Sequence, residues 1–157
     1  MKAAQYITNF NETHWKAVEH IFCYISGTTM YGITLGNINT TNKSTLHLFG
    51  SSDVDWAGSM EDRHSMTGNI LLLNGGPIIW TSKKQSTIAT STMQAKYQAL
   101  SSLVKDIIWT RSILSELGFK TTTPTPIEQD NQVSIALANN PTNHPKAKHI
   151  DITHHFI

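Results

Sequence analysis

The stretch Asn69-Ile70-Leu71-Leu72-Leu73-Asn74-Gly75-Gly76-Pro77-Ile78-Ile79-Trp80-Thr81 decides the fold class. Two apolar runs flank Asn74-Gly75-Gly76, and a tight hairpin turn needs residues that reach positive φ cheaply, which Asn and Gly do. The pattern predicts an antiparallel pair, Asn69 to Leu73 and Pro77 to Thr81. Upstream, Leu46, Leu48 and Phe49 lead into Asp53 and predict a first strand, so three antiparallel strands are the natural assembly. Downstream of a polar bridge, Ser91 to Leu117 carries Ala95, Leu100, Leu103, Ile107, Ile108, Ile113, Leu114 and Leu117. That spacing predicts a long helix stopped by Gly118, with a bend or break near Ser101-Ser102. Past the Pro-punctuated loop Thr123 to Pro126, Ile127 to Gln129 reads as a short strand. Asn131 to Ala138 reads as a short helix ended by Asn139-Asn140-Pro141, and a last helix is expected from about Lys148. Strands first, then helix, strand and helix describe an α+β domain with a mixed sheet.

Ahead of this domain, Trp15, Val18, Phe22 and Ile25 recur at three- and four-residue steps behind Asn11. They predict a helix from about Glu12 to Ser26 with Asn11 as N-cap and Gly27 as its close. A short extended piece is expected at Gly32 to Leu35, and the Asn- and Thr-rich run Gly36 to Ser44 has the composition of a linker. The expected organisation is therefore a leading segment, 1–44, and a domain, 45–157.

Composition excludes several classes. Of 157 residues, 15% are charged, and the formal net charge is +1. Disorder and coiled coils are disfavoured by that balance. A protein that binds nucleic acid through a global basic field is disfavoured as well, so any such contact must come from a local cluster. Cys23 is the single cysteine, cannot form an internal disulfide, and falls in the helical pattern where a small buried side chain is the common reading. Neither a signal-peptide run nor a membrane-length apolar stretch is present, and the expectation is an intracellular protein with no membrane partner.

The chemistry-bearing residues are acidic ones placed at strand ends: Asp53 and Asp55 after the first strand and Asp130 after the last. Carboxylates gathered from separate elements are what a two-metal phosphodiesterase needs, because hard divalent ions take oxygen ligands and align the attacking water with the leaving oxygen. Spacing alone equally fits turn formers, and Asp130 before Asn131 equally fits a helix cap.

The words around these residues resemble a known family. Ser52-Asp53-Val54-Asp55-Trp56-Ala57-Gly58, Asp62-Arg63, Ser65-Met66-Thr67-Gly68, Trp80-Thr81-Ser82-Lys83-Lys84-Gln85, Asp130-Asn131-Gln132 and Lys148-His149-Ile150-Asp151-Ile152 resemble, in order, the ribonuclease H region of copia-type retrotransposon polyproteins. His14-Trp15-Lys16-Ala17 and Tyr24 to Tyr31 resemble the end of the connection from that family's reverse transcriptase. The resemblance implies a ribonuclease H fold that cuts the RNA strand of an RNA·DNA hybrid with Mg2+ or Mn2+. It also implies the reverse transcriptase portion of the polyprotein as a partner, and a cytoplasmic or virus-like-particle location.

By the same resemblance, Asp53 is the first catalytic carboxylate and metal ligand, and Asp130 the third. The second should be a glutamate in the long helix, but the sequence reads Ser91-Thr92-Met93-Gln94-Ala95-Lys96-Tyr97, with Lys96 at that position and Gln94 at the other acidic one. An ammonium has three donors, no acceptor and the sign of the ion it displaces. A fourth carboxylate, expected in a last strand-and-helix portion, has no counterpart up to Ile157; Asp151 belongs to a different motif. The expectation is a truncated ribonuclease H-like domain lacking that last strand and helix, inactive as a nuclease. The alternatives are an active hybrid ribonuclease using Asp53 and Asp130 with help from Asp55 or Asp151, and a non-catalytic nucleic-acid binder. For the last, Arg63, Lys83 and Lys84 are the candidate phosphate contacts. His144, His149, His154 and His155 lack the paired spacing of a zinc site. Trp15, Trp56, Trp80 and Trp109 sit in apolar patterns that read as core.

Overall fold

The computed structural model describes residues 4, 6–35, 46–119 and 123–139. Contacts divide the chain into two units, Met1–Ile33 and Thr34–Ile157. The expected linker at 36–44, the helix from Lys148, Asp151 and the four C-terminal histidines lie outside the described residues.

Asn74 and Gly75, at φ of 49° and 83°, supply the positive-φ turn between β2 (Met66–Leu73) and β3 (Gly76–Lys84). β1 (Leu48–Asp55) pairs antiparallel with β2, from Leu48 against Leu73 to Asp55 against Met66. β2 and β3 are also antiparallel, with a bulge between Leu71 and Leu72. A two-residue strand, β4 (Ile127–Glu128), adds to the other edge of β1 in parallel. The sheet order is β3-β2-β1-β4. This mixed sheet and the helices give the expected α+β class.

Both hairpin strands are longer than their apolar runs. Thr67-Gly68 and Ser82-Lys83-Lys84 are polar or small, yet they pair in the ladder, Thr67 with Lys83 and with Val54. Pairing extends the ladder past the residues whose hydrophobicity announced it. Asp53 and Asp55 consequently lie within β1 rather than after it.

The helix α2 (Thr92–Glu116) covers one sheet face, and Ser91 caps it by accepting from Gln94 N at 3.1 Å. Alternation along β1 buries Leu48, Gly50, Ser52 and Val54 against that layer and leaves Asp53 and Asp55 exposed. Leu48, Leu71, Leu103, Ile107 and Leu114 form the main core. A smaller cluster joins Val54, Ala89, Ala95 and Ala99. At Gly50 a Cβ would lie 3.0 Å from Leu103 Cδ2 and 3.4 Å from Ile107 Cδ1, so glycine lets helix and strand approach. The expected break at Ser101-Ser102 is absent and α2 runs unbroken. Leu100 and Leu103, both buried on either side of the pair, keep it helical against a serine preference worth only tenths of a kcal/mol.

In the leading unit, α1 (Glu12–Gly27) has the expected Asn11 cap, completed by His14 Nδ1 accepting from Asn11 N at 3.1 Å. None of its residues is buried. Gly32 to Leu35 forms no strand. Two expectations of burial fail here and in the domain. Cys23 is exposed. All four tryptophans are exposed as well: Trp15 donates to Glu19 at 2.8 Å and Trp56 to the Ala89 carbonyl at 3.2 Å. Trp80 pairs with Ile70 on the sheet face that α2 does not cover. Apolar periodicity identifies a face without saying that anything packs on it.

Candidate functional site

Parallel pairing aligns Gly50 with Ile127 and Ser51 with Glu128. Two residues further along the chain come Asp53, within β1, and Asp130, just past β4, so the register itself brings these carboxylates to the same end of the sheet. With Ser51, Ser52, Glu128 and Gln129 they line an open cavity of about 330 Å3. Their side chains are 78% and 70% exposed. Asn131, not Asp130, caps the following helix α3 (Gln132–Asn139), accepting from Ser134 N at 2.9 Å. Asp130 is thereby left for other contacts.

Lys96 projects from the second turn of α2 and its side chain is only 9% exposed. Its ammonium donates to Asp130 Oδ1 and stands 3.6 Å from Asp53 Oδ1. The hydrogen bond to Asp130 raises the Lys96 pKa against the opposing effect of burial, with Asp53 adding to the rise. The same bond lowers the Asp130 carboxyl. Lys96 is therefore a fixed cation under ordinary conditions, held by the two carboxylates the sequence singled out.

Four side chains fasten this part of α2 to its neighbours through its backbone. Gln129 Nε2 donates to the Lys96 carbonyl at 3.0 Å, Gln85 Nε2 to Ala95 at 2.9 Å and Asn69 Nδ2 to Ala99 at 3.1 Å. Ser134 Oγ reaches Met93 O at 3.5 Å. The sequence reading missed this set. A signal was available in Asn69, a buried polar residue inside an otherwise apolar strand word.

Asp55 turns elsewhere. A Cβ at Gly58 would fall 2.1 Å from Asp55 Oδ2, so this carboxylate rests against the backbone of its own β1–β2 loop. Gln94 Oε1 accepts from Thr90 N and Oγ1 at 2.8 and 2.9 Å and closes the start of α2. Among the described residues, no group of three or more His, Cys, Asp or Glu side chains is placed to hold a metal ion. With an ammonium between the two aspartates, the residues present do not fit a pair of divalent ions.

The basic candidates separate. Lys84 pairs with Asp62, whose carboxyl is lowered by that bond first and by Ser59 second. Arg63 sits at φ 57° in the loop. Lys83 pairs across from Thr67, on the α2 side of the sheet, and Lys84 points to the other side, as neighbours in a strand must.

No family model matches the sequence, and no solved structure matches it. The chain is similar to the retrovirus-related Pol polyprotein from transposon RE2 of Arabidopsis thaliana, at 36% identity over 156 residues, 99% of this chain and 10% of that protein. It is similar to the corresponding polyprotein from transposon TNT 1-94 of Nicotiana tabacum, at 34% identity over 98% of this chain and 11% of that protein. It is also 38% identical to the secreted RxLR effector protein 161 of Plasmopara viticola, over 68% of this chain and 71% of that protein. The chain thus spans about a tenth of the length of the Pol polyproteins it matches.

Proposed function

This chain belongs to the Pol polyproteins of copia-type retrotransposons, and from that premise we propose that it is a ribonuclease H-like segment whose catalytic centre is closed by Lys96. The observation that carries the reading is the Lys96 ammonium bonded to Asp130 and 3.6 Å from Asp53. Two-metal hydrolysis of a phosphodiester needs ions roughly 4 Å apart, each held by carboxylate oxygens. A lysine at that place removes ligand oxygens and opposes entry of a cation by its own charge. What remains is a pair of carboxylates partly offset by one ammonium, with the lysine in the position of an ion, and Asp55 rests against its own loop at Gly58.

The test is hydrolysis of an RNA·DNA hybrid by purified protein with Mg2+ or Mn2+, beside an Asp53→Asn control. No cleavage above that control is expected. Robust Mg2+-dependent hydrolysis that disappears in Asp53→Asn overturns the reading in favour of an active hybrid ribonuclease.

A non-catalytic role in holding nucleic acid is the second reading. Lys83 favours it, since among the described residues this lysine makes no ion pair while Lys84 is neutralised by Asp62.

A further inference from the structure

Between the edge strand β3 and the outer flank of α2 lies a cavity of about 240 Å3, lined by Thr67, Thr81, Lys83, Lys84, Gln85, Ser86, Gln98 and Ser102. No carboxylate lines it, and its donors are arranged. Thr67 is 8% exposed and its hydroxyl accepts from Gln85 Nε2 at 3.0 Å, which leaves the hydroxyl proton to donate. Gln98 Oε1 accepts from Thr87 Oγ1 at 3.4 Å, which leaves its amide N–H groups to donate. Among the described residues the side chains of Thr81, Lys83, Ser86 and Ser102 have no hydrogen-bond or ion-pair partner. An ammonium, four hydroxyls and an amide converging without a negative group match an oxyanion. Lys83 and Thr67 share a row of the sheet with Val54, the residue after Asp53.

We propose that this cavity is a subsite for one phosphate of a nucleic-acid backbone, with Lys83 as the charged contact and Thr67 and Gln98 as the fixed donors. The inference deepens the nucleic-acid reading and does not depend on whether the Asp53 site cleaves. Phosphate contacts of this kind set register on a duplex and carry no sequence preference.

Two measurements on the full chain test it. In the first, inorganic phosphate is titrated into isotopically labelled protein. The backbone signals of Thr67, Lys83, Gln98 and Ser102 should shift together, and those shifts should vanish in Lys83→Gln. In the second, a short RNA·DNA hybrid is bound at a series of salt concentrations. Lys83→Gln should weaken binding several-fold and lower the slope of log K against log[salt] by about 1, whereas Lys105→Gln should leave the slope unchanged. Thr67→Val, which keeps the charge, should lose the phosphate shifts with the salt slope intact. Absence of phosphate shifts at these residues, or their persistence in Lys83→Gln, overturns the assignment. Phosphate binding without any effect of Lys83→Gln on the hybrid overturns it in favour of a free-phosphate site. Metal-dependent cleavage would instead sink the closed-site reading and leave this one standing.

Discussion

Lys96→Glu reverses the charge at the centre of the site without moving the backbone that carries it. In the unmodified chain the ammonium is 3.6 Å from Asp53 and bonded to Asp130. The Asp53 carboxylate is 78% exposed, so solvent screening governs that contact and the attraction across it is about 1 kcal/mol. Glutamate turns it into repulsion of similar size, a swing of about 2 kcal/mol from Asp53 alone, and Asp130 acts with the same sign. In a unit of about a hundred residues this should lower the melting temperature by roughly 10 °C. The assay is thermal unfolding followed by far-UV circular dichroism, in EDTA and in millimolar Mg2+. The unmodified protein should melt at one temperature in both, since its two aspartates already face the Lys96 ammonium. Lys96→Glu should melt lower in EDTA and recover in Mg2+. An equal Mg2+-induced rise in the unmodified protein would refute the reasoning, as would a variant that melts normally in EDTA.

The pH dependence of stability should have two edges from the same contact. Asp130 is lowered in the fold, so its contribution is present above the unfolded carboxyl value and lost as pH falls through the folded one. Lys96 is raised, so its contribution is present below the unfolded lysine value and lost as pH rises through the folded one; urea midpoints should be flat between, and Lys96→Met should remove the alkaline edge. Gly58→Ala pushes a Cβ to 2.1 Å from Asp55 Oδ2 and should cost about 1 kcal/mol, but clearly less in an Asp55→Ala background, as a double-mutant cycle would show. Gly50→Ala meets Leu103 Cδ2 at 3.0 Å and should cost about 1–3 kcal/mol by overpacking, read from denaturant midpoints.

Local signals in the sequence were enough for the hairpin, α1, α2 and β4, because Asn74-Gly75, the Asn11 cap, the Gly118 stop and the apolar spacing each act within a few residues. The strand ends were not legible. Gly68 and Lys83 have no strand signal of their own and become strand by pairing. The tryptophans and Cys23 were misplaced for a related reason, since a stripe tells which side of a helix is apolar and a partner layer must be known to say it is covered. Asp53, Asp130 and Lys96 were legible through motif words, and their meeting follows from one parallel register that the sequence does not state. The basic pair Lys83-Lys84 looked like one cluster in the sequence, and the structure separates their partners: Lys84 is paired with Asp62 while Lys83 makes no ion pair among the described residues.

The polar contacts to α2 explain how this site keeps its geometry whatever side chain residue 96 bears. Gln129, Gln85 and Asn69 address the carbonyl oxygens of Lys96, Ala95 and Ala99, and a backbone carbonyl is the same whichever side chain the residue bears. Ala95 and Ala99 are fully buried and fix the rotation of the helix by packing. The direction in which residue 96 projects is thus set by its neighbours. A glutamate there would face Asp53 and Asp130 with three negative charges together and would need a cation to relieve them. Lysine brings its own positive charge to the two aspartates. On this account the direction of residue 96 is fixed by its neighbours, and the sign of its charge decides whether the two aspartates meet an ammonium or a third carboxylate.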